Sequence, residues 1–172
     1  MRFPILVLLG CAVLPPGCFT YPCDRDVLAC EEGDALAIDR SCKNTDALVL
    51  ELGEGEGTFA PLADETWPVV HHGVQGGIHF MLGLRLEGVD ASHGEFEIEI
   101  DARDCKGGCT EMQPFATRTF VIDDSHFEAD DDALVLADVV LLLDHEPAER
   151  GEITVRVTDS CGRVATTVLS IE

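Results

Sequence analysis

The stretch Gly77-Ile-His-Phe-Met-Leu-Gly-Leu-Arg-Leu-Glu87 decides the fold class. Apolar side chains occupy every second position, and the positions between them carry polar, glycine or methionine residues. The inward set is Ile78, Phe80, Leu82, Leu84 and Leu86, and the outward set is His79, Met81, Gly83, Arg85 and Glu87. Because side chains alternate between the two faces of a strand, this pattern predicts a strand with one buried and one solvated face.

The same two-residue period recurs along the chain. Glu95-Phe-Glu-Ile-Glu-Ile-Asp101 alternates cleanly, and its four outward carboxylates are expected to disfavour sheet stacking and to help block edge pairing. The apolar run 134–143 predicts a buried strand, or two short strands broken near Asp138. Further strands are predicted over 47–52, 66–72, 117–122, 152–158 and 164–171.

The tail Ile153-Thr-Val-Arg-Val-Thr-Asp-Ser-Cys-Gly-Arg-Val-Ala165 predicts a closing hairpin with its turn at Asp159-Ser-Cys-Gly162. It resembles the last two strands of bacterial immunoglobulin-like domains, in which an Asp-x-x-Gly turn joins the final pair. The sequence has no convincing amphipathic helix pattern. We therefore expect an all-β fold, an antiparallel immunoglobulin-like β-sandwich of about seven to nine strands.

The N-terminus carries an export signal. Arg2 precedes an apolar segment over 3–14, which is shorter than the roughly 20 residues that span a bilayer. Two Gly-Cys pairs, Gly10-Cys11 within this segment and Gly17-Cys18 after it, resemble the lipobox of bacterial lipoproteins. That resemblance implies cleavage, lipidation of the cysteine and a membrane anchor. The residue two places along from Cys18 is not Asp, which in Gram-negative lipoproteins permits outer-membrane sorting.

Cysteine parity favours Cys18 as the lipidated residue. Cleavage there leaves an even number of cysteines for disulfides, namely Cys23, Cys30, Cys42, Cys105, Cys109 and Cys161. The alternative, Cys11, has better flanking residues but leaves an odd number. Cys105-Lys-Gly-Gly-Cys109 is the expected local bridge, because two glycines let its loop close tightly.

The chain divides into a signal peptide over 1–17, a Cys-rich segment over 18–44 and a β-sandwich domain over 45–172. Its net charge of −22 at neutral pH should repel nucleic acid and anionic lipid surfaces. The same charge could attract divalent cations or basic partners, although acidity is also a common route to solubility.

The segment Trp67-Pro-Val-Val-His-His-Gly-Val-Gln-Gly-Gly-Ile-His79 is the best candidate for chemistry. Gly76 and Gly77 adopt positive φ readily and predict a hairpin turn, which would bring His72 close to His79. Imidazoles with a thioether suit copper, and imidazoles with a carboxylate suit zinc. The metal candidates are His71, His72, His79 and Met81; the alternative is a polar turn on a solvated face.

The same segment resembles one in uncharacterised bacterial exported lipoproteins, which share a Gly-x-Gln-Gly-Gly-x-His core. The matching residues are Gly73, Gln75, Gly76, Gly77 and His79, with Arg85 downstream. Candidates for ligand or peptide binding at the turn are Gln75, Gly76, Gly77 and Arg85. No activity comes with the resemblance, so it implies only an exported, lipid-anchored location.

A second candidate for cation binding is the acidic run 123–132, which lacks the spacing of an EF-hand loop. No G-x-S-x-G, H-E-x-x-H or Walker sequence occurs. We therefore expect no enzyme activity and no cofactor. The expected function is a lipid-anchored cell-envelope binding or structural module with a protein partner, and the alternative is a copper- or zinc-binding protein.

Overall fold

A computed structural model describes residues 35–39, 41–43, 46–63, 65–74, 76–89 and 94–172. This part of the chain forms ten antiparallel strands and one 3-10 turn at Asp124–His126. The strands are β1 Val49–Glu54, β2 Ala60–Pro61, β3 Val70–His72, β4 Ile78–Glu87, β5 Glu95–Cys105, β6 Gln113–Asp123, β7 Glu128–Asp130, β8 Ala133–Leu143, β9 Arg150–Asp159 and β10 Val164–Ile171.

The strands form two sheets that pack face to face as a sandwich. The first sheet has the order β2-β1-β4-β8-β7, and β3 pairs with β4 beside the end of β1. The second sheet has the order β10-β9-β5-β6. The all-β sandwich expected from the sequence is thus the observed fold, with two very short strands, β2 and β7, that the sequence did not predict.

The core lies between the inward faces of β4 and β5. Phe80, Leu82, Leu84 and Leu86 are fully buried, as their alternation predicts. Phe96 and Ile98 are equally buried across from them on β5. Burying such side chains contributes roughly 1.5–3 kcal/mol each, so these two strands supply much of the driving force for folding.

The apolar run predicted near 134–143 forms one strand, β8, with an irregularity at Asp138. Asp138 has a positive φ of 59°, and the β4–β8 register shifts between Leu82 and Leu84. Its amide donates to the Gly55 carbonyl at 2.8 Å, and its carboxylate accepts from the Gly57 amide at 2.8 Å. The bulge therefore fixes the glycine-rich loop after β1.

The expectation that the β5 carboxylates protect a sheet edge is wrong. β5 is an interior strand, paired with β6 on one side and β9 on the other. Its outward carboxylates have cationic neighbours instead: Glu99 pairs with Arg156, and Asp101 pairs with Arg103. The even spacing of charges showed which face was solvated but carried no information about strand order.

The strand predicted over 66–72 is shorter than expected, since only Val70–His72 pair with β4. Trp67 leaves the sheet edge and packs in the core, stacked on Phe80 at 5.9 Å and edge-on to Phe115 at 5.6 Å between ring centroids. A side chain at Gly151 would collide with the indole, 2.4 Å from its nearest atom. Burial of the indole overrides the local strand pattern.

Two disulfides lie in the described residues. Cys105–Cys109 is the expected local bridge, in the turn between β5 and β6. Cys42–Cys161 joins the segment before β1 to the β9–β10 turn across 119 residues. The remaining cysteines of the sequence prediction, Cys18, Cys23 and Cys30, lie outside the described residues.

A buried ion pair closes the same end of the sandwich. Asp159 is fully buried and accepts from the amides of Cys161 (3.0 Å) and Arg163 (2.8 Å) and from the Arg163 Nε (2.7 Å). The Arg163 Nη1 donates to the carbonyls of Asp46, which precedes β1, and Gly88, which follows β4 in the first sheet. One carboxylate thus holds the final turn, and its guanidinium partner ties the two sheets together.

We expect Asp159→Asn to lower the free energy of unfolding by about 3–5 kcal/mol, because it leaves the Arg163 charge buried without its counter-ion. The matched control is Glu99→Gln, which breaks an exposed pair and should cost at most about 1 kcal/mol. Urea unfolding of the oxidised chain measures both. Equal losses for the two variants would contradict this account of the buried pair.

Candidate functional site

The turn between β3 and β4 spans five residues. The Gly73 amide donates to the Gly77 carbonyl at 2.7 Å, and the Gly76 amide donates to the Gly73 carbonyl at 2.9 Å. Gly76 has a φ of 83°, the conformation that its lack of a side chain permits. Gln75, the remaining turn candidate, lies outside the described residues.

The turn sets a register that differs from the expected one. His71 lies directly opposite His79, while His72 lies opposite Ile78. The prediction that His72 approaches His79 across the sheet is therefore wrong by one residue. Since neighbouring residues of a strand face opposite sides, this one-residue difference decides which imidazole shares a face with His79.

The His71 and His79 rings form a cross-strand stack on the outer face of the first sheet. Their centroids are 5.5 Å apart and their planes differ by 23°. Leu142 lies opposite His79 on the other side of β4 and is 69% exposed. Met81, the next outward residue of β4, lies opposite Val140.

These outward residues form a mixed aromatic and aliphatic surface, which we call the histidine patch: His71, His79, Met81, Val140 and Leu142. Its chemistry is distinct from the carboxylate-rich outer surface elsewhere on the chain. Three side chains with soft ligand atoms, His71, His79 and Met81, lie on two adjacent strands of this face.

The pKa of His79 lies below the usual value of an imidazole. Burial of the ring is the largest cause, followed by the charges of the nearby His71 and His72. Both effects disfavour the protonated form. His79 therefore keeps a neutral ring, with a lone pair for a metal or a hydrogen-bond donor, at a lower pH than a free histidine would.

His72 belongs to a different environment. It is exposed and lies 3.3 Å from Glu146, on the loop that follows β8. Among the described residues no group of three or more His, Cys, Asp or Glu side chains is arranged to hold a metal ion. The three histidines of the sequence prediction are thus a stacked pair and a separate imidazole.

Arg85 lies far from the turn with which it was grouped. It is six residues beyond His79 on β4, about 20 Å along the strand. Its guanidinium hydrogen-bonds to Glu87 and lies 3.7 Å from Asp130 and 4.0 Å from Glu51. Arg85 therefore neutralises carboxylates of β1, β4 and β7 on the outer face of the first sheet.

The acidic run 123–132 forms a 3-10 turn and part of a hairpin. Asp123 caps the turn, accepting from the Ser125 amide at 2.9 Å and lying 3.2 Å from the His126 Nδ1. Hydrogen bonds from Ser125 are the main cause that lowers the pKa of Asp123. Its carboxylate therefore already has a local role in the turn.

A second histidine site was not anticipated from the sequence. Asp104 is only 3% exposed, and its Oδ2 accepts from the Ala148 amide at 2.8 Å and lies 3.1 Å from the His145 Nε2. The His145 ring lies against Phe115, and the Trp67 indole donates to the Ala148 carbonyl. The sequence feature that could have indicated this site was the alternation of β5, which places Asp104 on the inward face after Ala102.

Comparison with models of known protein families found no match, and comparison with curated protein sequences found none either. In the described part of the chain, no helix is long and apolar enough to cross a membrane.

We predict that His79 titrates below about 6.5, so that its contribution to the free energy of unfolding depends on pH. Since the unfolded chain binds the proton more readily, this contribution is fully present above about 6.5 and is lost as the pH falls through the lowered pKa. NMR titration of the ring protons measures the pKa directly.

His71→Gln tests the cause of the lowered pKa of His79. It removes one like charge, so the pKa of His79 should rise but stay below that of a free histidine, because burial remains. A His79 pKa that is normal in the parent chain, or unchanged in the variant, would contradict the electrostatic coupling of the pair.

Proposed function

We propose that the chain is a lipid-anchored cell-envelope protein, a non-catalytic binding or structural module that projects from the outer membrane of a Gram-negative bacterium. The observation that carries the proposal is the Gly17-Cys18 pair behind Arg2 and the apolar segment 3–14. Cleavage before Cys18 and acylation of its thiol and amine would supply more than one chain, which stable anchoring requires.

The two disulfides fit an exported protein. Cys42–Cys161 and Cys105–Cys109 need an oxidising compartment to form and persist. The long-range bridge fixes the start of the domain to its last turn, so a tether pulling on the N-terminal side acts directly on a covalent link to the β9–β10 hairpin.

The histidine patch is the proposed binding surface. Leu142 is largely exposed on the outer face of β8. Beside it are the stacked rings of His71 and His79. Apolar and aromatic side chains of this kind typically form the centres of protein interfaces.

We assign a structural and not a catalytic role to the buried Asp104–His145 pair, because both side chains make contacts that hold a loop in place. Asp104 also binds the Ala148 amide, and His145 packs on Phe115. Both groups thereby hold the loop after β8 against the core, as expected of a structural contact.

Metabolic labelling with an alkyne-tagged fatty acid tests the anchor. In the full-length chain made in a Gram-negative host, we expect Cys18→Ala to abolish labelling and the matched control Cys11→Ala to leave it unchanged. Reversed results would place the anchor on Cys11, and absence of label in the parent chain would contradict lipidation altogether.

A second candidate function is binding of copper or zinc, and the stacking of His71 on His79 favours it. Two imidazoles on adjacent strands, one of them held neutral, with the Met81 thioether two residues further along β4, suit Cu(I) better than zinc. For zinc, the carboxylate of Glu146 lies beside His72, on a different side of the strand from the pair.

Native mass spectrometry of the oxidised chain 19–172 tests this second function. Under it, we expect one Cu(I) adduct for each chain, lost in His79→Gln and retained in His126→Gln, whose imidazole lies beside Asp123 instead. An adduct that survives His79→Gln would exclude the stacked pair as the ligands, and absence of any adduct would leave the patch as a protein-binding surface.

A further inference from the structure

A strap of main chain crosses the outer face of the first sheet beside the histidine patch. The Gly55 amide donates to the Met81 carbonyl of β4 at 3.1 Å, and the Gly55 carbonyl accepts from the Asp138 amide of β8 at 2.8 Å. A side chain at Gly83 would lie 2.6 Å from the Glu54 carbonyl oxygen. Because Gly83 is an outward position of β4, the strap passes over that strand on its outer face.

The strap closes one side of the patch. The Gly57 amide donates to the Asp138 carboxylate at 2.8 Å, which holds the strap against β8. The Phe59 ring lies on the same face, where a side chain at Gly53 or Gly83 would come within 2.6 Å or 2.9 Å of ring carbons. The patch therefore has a wall on this side, made of main chain and an aromatic ring.

Exposed carboxylates border the patch at both ends of its β8 row. Glu56 on the strap and Asp138 are exposed at one end, and Asp144, also exposed, follows Leu142 by two residues at the other. Glu146 lies just beyond and is 58% exposed. Asp138 and Asp144 are six residues apart, about 20 Å of extended strand, with the apolar outward residues of β8 between them.

No lysine or arginine of the described strands balances these carboxylates. The stretches 44–84 and 119–149 contain neither residue type, and they supply every strand of the first sheet except the end of β4. Arg85, at that end, already lies among three carboxylates. Arg118 of the second sheet reaches β8, but its guanidinium binds the Val140 carbonyl and lies over the Phe120 ring. The patch is thus an apolar centre with a negative border.

We propose that the histidine patch docks a segment of a partner protein in which a few apolar side chains lie between basic ones. The apolar side chains would cover Leu142, Met81 and the stacked imidazoles, and the basic ones would pair with the carboxylates at either end. This inference rests on the proposed function, because it names the class of partner for that binding surface.

Charge selects this occupant over others. A second copy of the chain would set its own acidic border against the first, and anionic lipid or nucleic acid would be repelled by the net charge of −22. A basic segment is attracted by the same charges. In such an interface the apolar centre supplies most of the affinity, and the charged rim sets specificity and the rate of association.

Three eight-residue peptides serve as probes: Arg-Arg-Leu-Phe-Val-Leu-Arg-Arg, and the same sequence with every Arg replaced by Gln or by Glu. Fully extended, each spans about 26 Å, enough to reach both ends of the border. Calorimetric titration into the full-length protein, made in a Gram-negative host and purified in a non-ionic detergent, measures their affinities. We expect the Arg peptide to bind at least about tenfold more tightly than the Gln peptide at about 0.15 M salt, and the Glu peptide to bind most weakly.

Leu142→Thr tests the apolar centre, since it removes an exposed apolar side chain and keeps a good strand former. Its matched control is Val49→Thr, at a position that is 52% exposed on a strand of the same sheet and lies opposite Glu87. We expect Leu142→Thr to weaken binding of the Arg peptide at least about fivefold, and Val49→Thr to change it less than about twofold.

The double variant Glu56→Gln/Asp144→Asn tests the border. Its control, Glu95→Gln/Glu111→Gln, removes the same charge from two exposed residues outside the first sheet. The border variant should bind the Arg peptide at least about threefold more weakly than its control, because its carboxylates pair directly with the probe.

Equal affinity of the Arg peptide for the parent, Leu142→Thr and Val49→Thr would mean unspecific attraction of a polycation and would overturn the proposal, as would no binding at all. A Gln peptide that binds as tightly as the Arg peptide, and depends on Leu142, would overturn the basic partner while leaving the patch as a binding surface. A heat of dilution that reveals self-association, lost in Leu142→Thr, would assign the patch to a second copy and also overturn it.

Discussion

The apolar face of β4 has to be kept from water, and the rest of the sandwich is arranged around that requirement. Its four fully buried side chains face the equally dry side of β5 in the other sheet. β1 and β3 share one edge of β4, and β8 pairs along the whole of the other. A central strand enclosed on three sides leaves only its outward residues available for function, and those residues include His79 and Met81.

Two buried carboxylates close the opposite ends of this core. Asp159 lies opposite Phe96 at one end of β5, and Asp104 is eight residues further along β5, at its other end. Both satisfy backbone amides of the adjacent loop, and each also contacts a basic side chain, Arg163 or His145. A buried carboxylate is tolerated only when hydrogen bonds replace its water, so each one fixes the geometry of the loop that supplies them. The sandwich is therefore closed by polar clamps as well as by its apolar faces.

The sequence by itself determined the elements and their faces. Period-two alternation identified β4 and β5 and their inward residues, the Asp-x-x-Gly pattern located the last turn, and two glycines between cysteines indicated the local bridge, because all of these are properties of neighbouring residues. Tertiary structure alone decided strand order, and so placed the β5 carboxylates in the middle of a sheet. It also set the register that stacks His71, and not His72, on His79. A five-residue turn, closed by hydrogen bonds between Gly73 and Gly77 and between Gly76 and Gly73, sets that register. The hydrogen bonds of Asp104 involve residues far away in the chain, and the burial of Asp159 depends on the packing of that end of the sheet. No local sequence pattern encodes such distances in space.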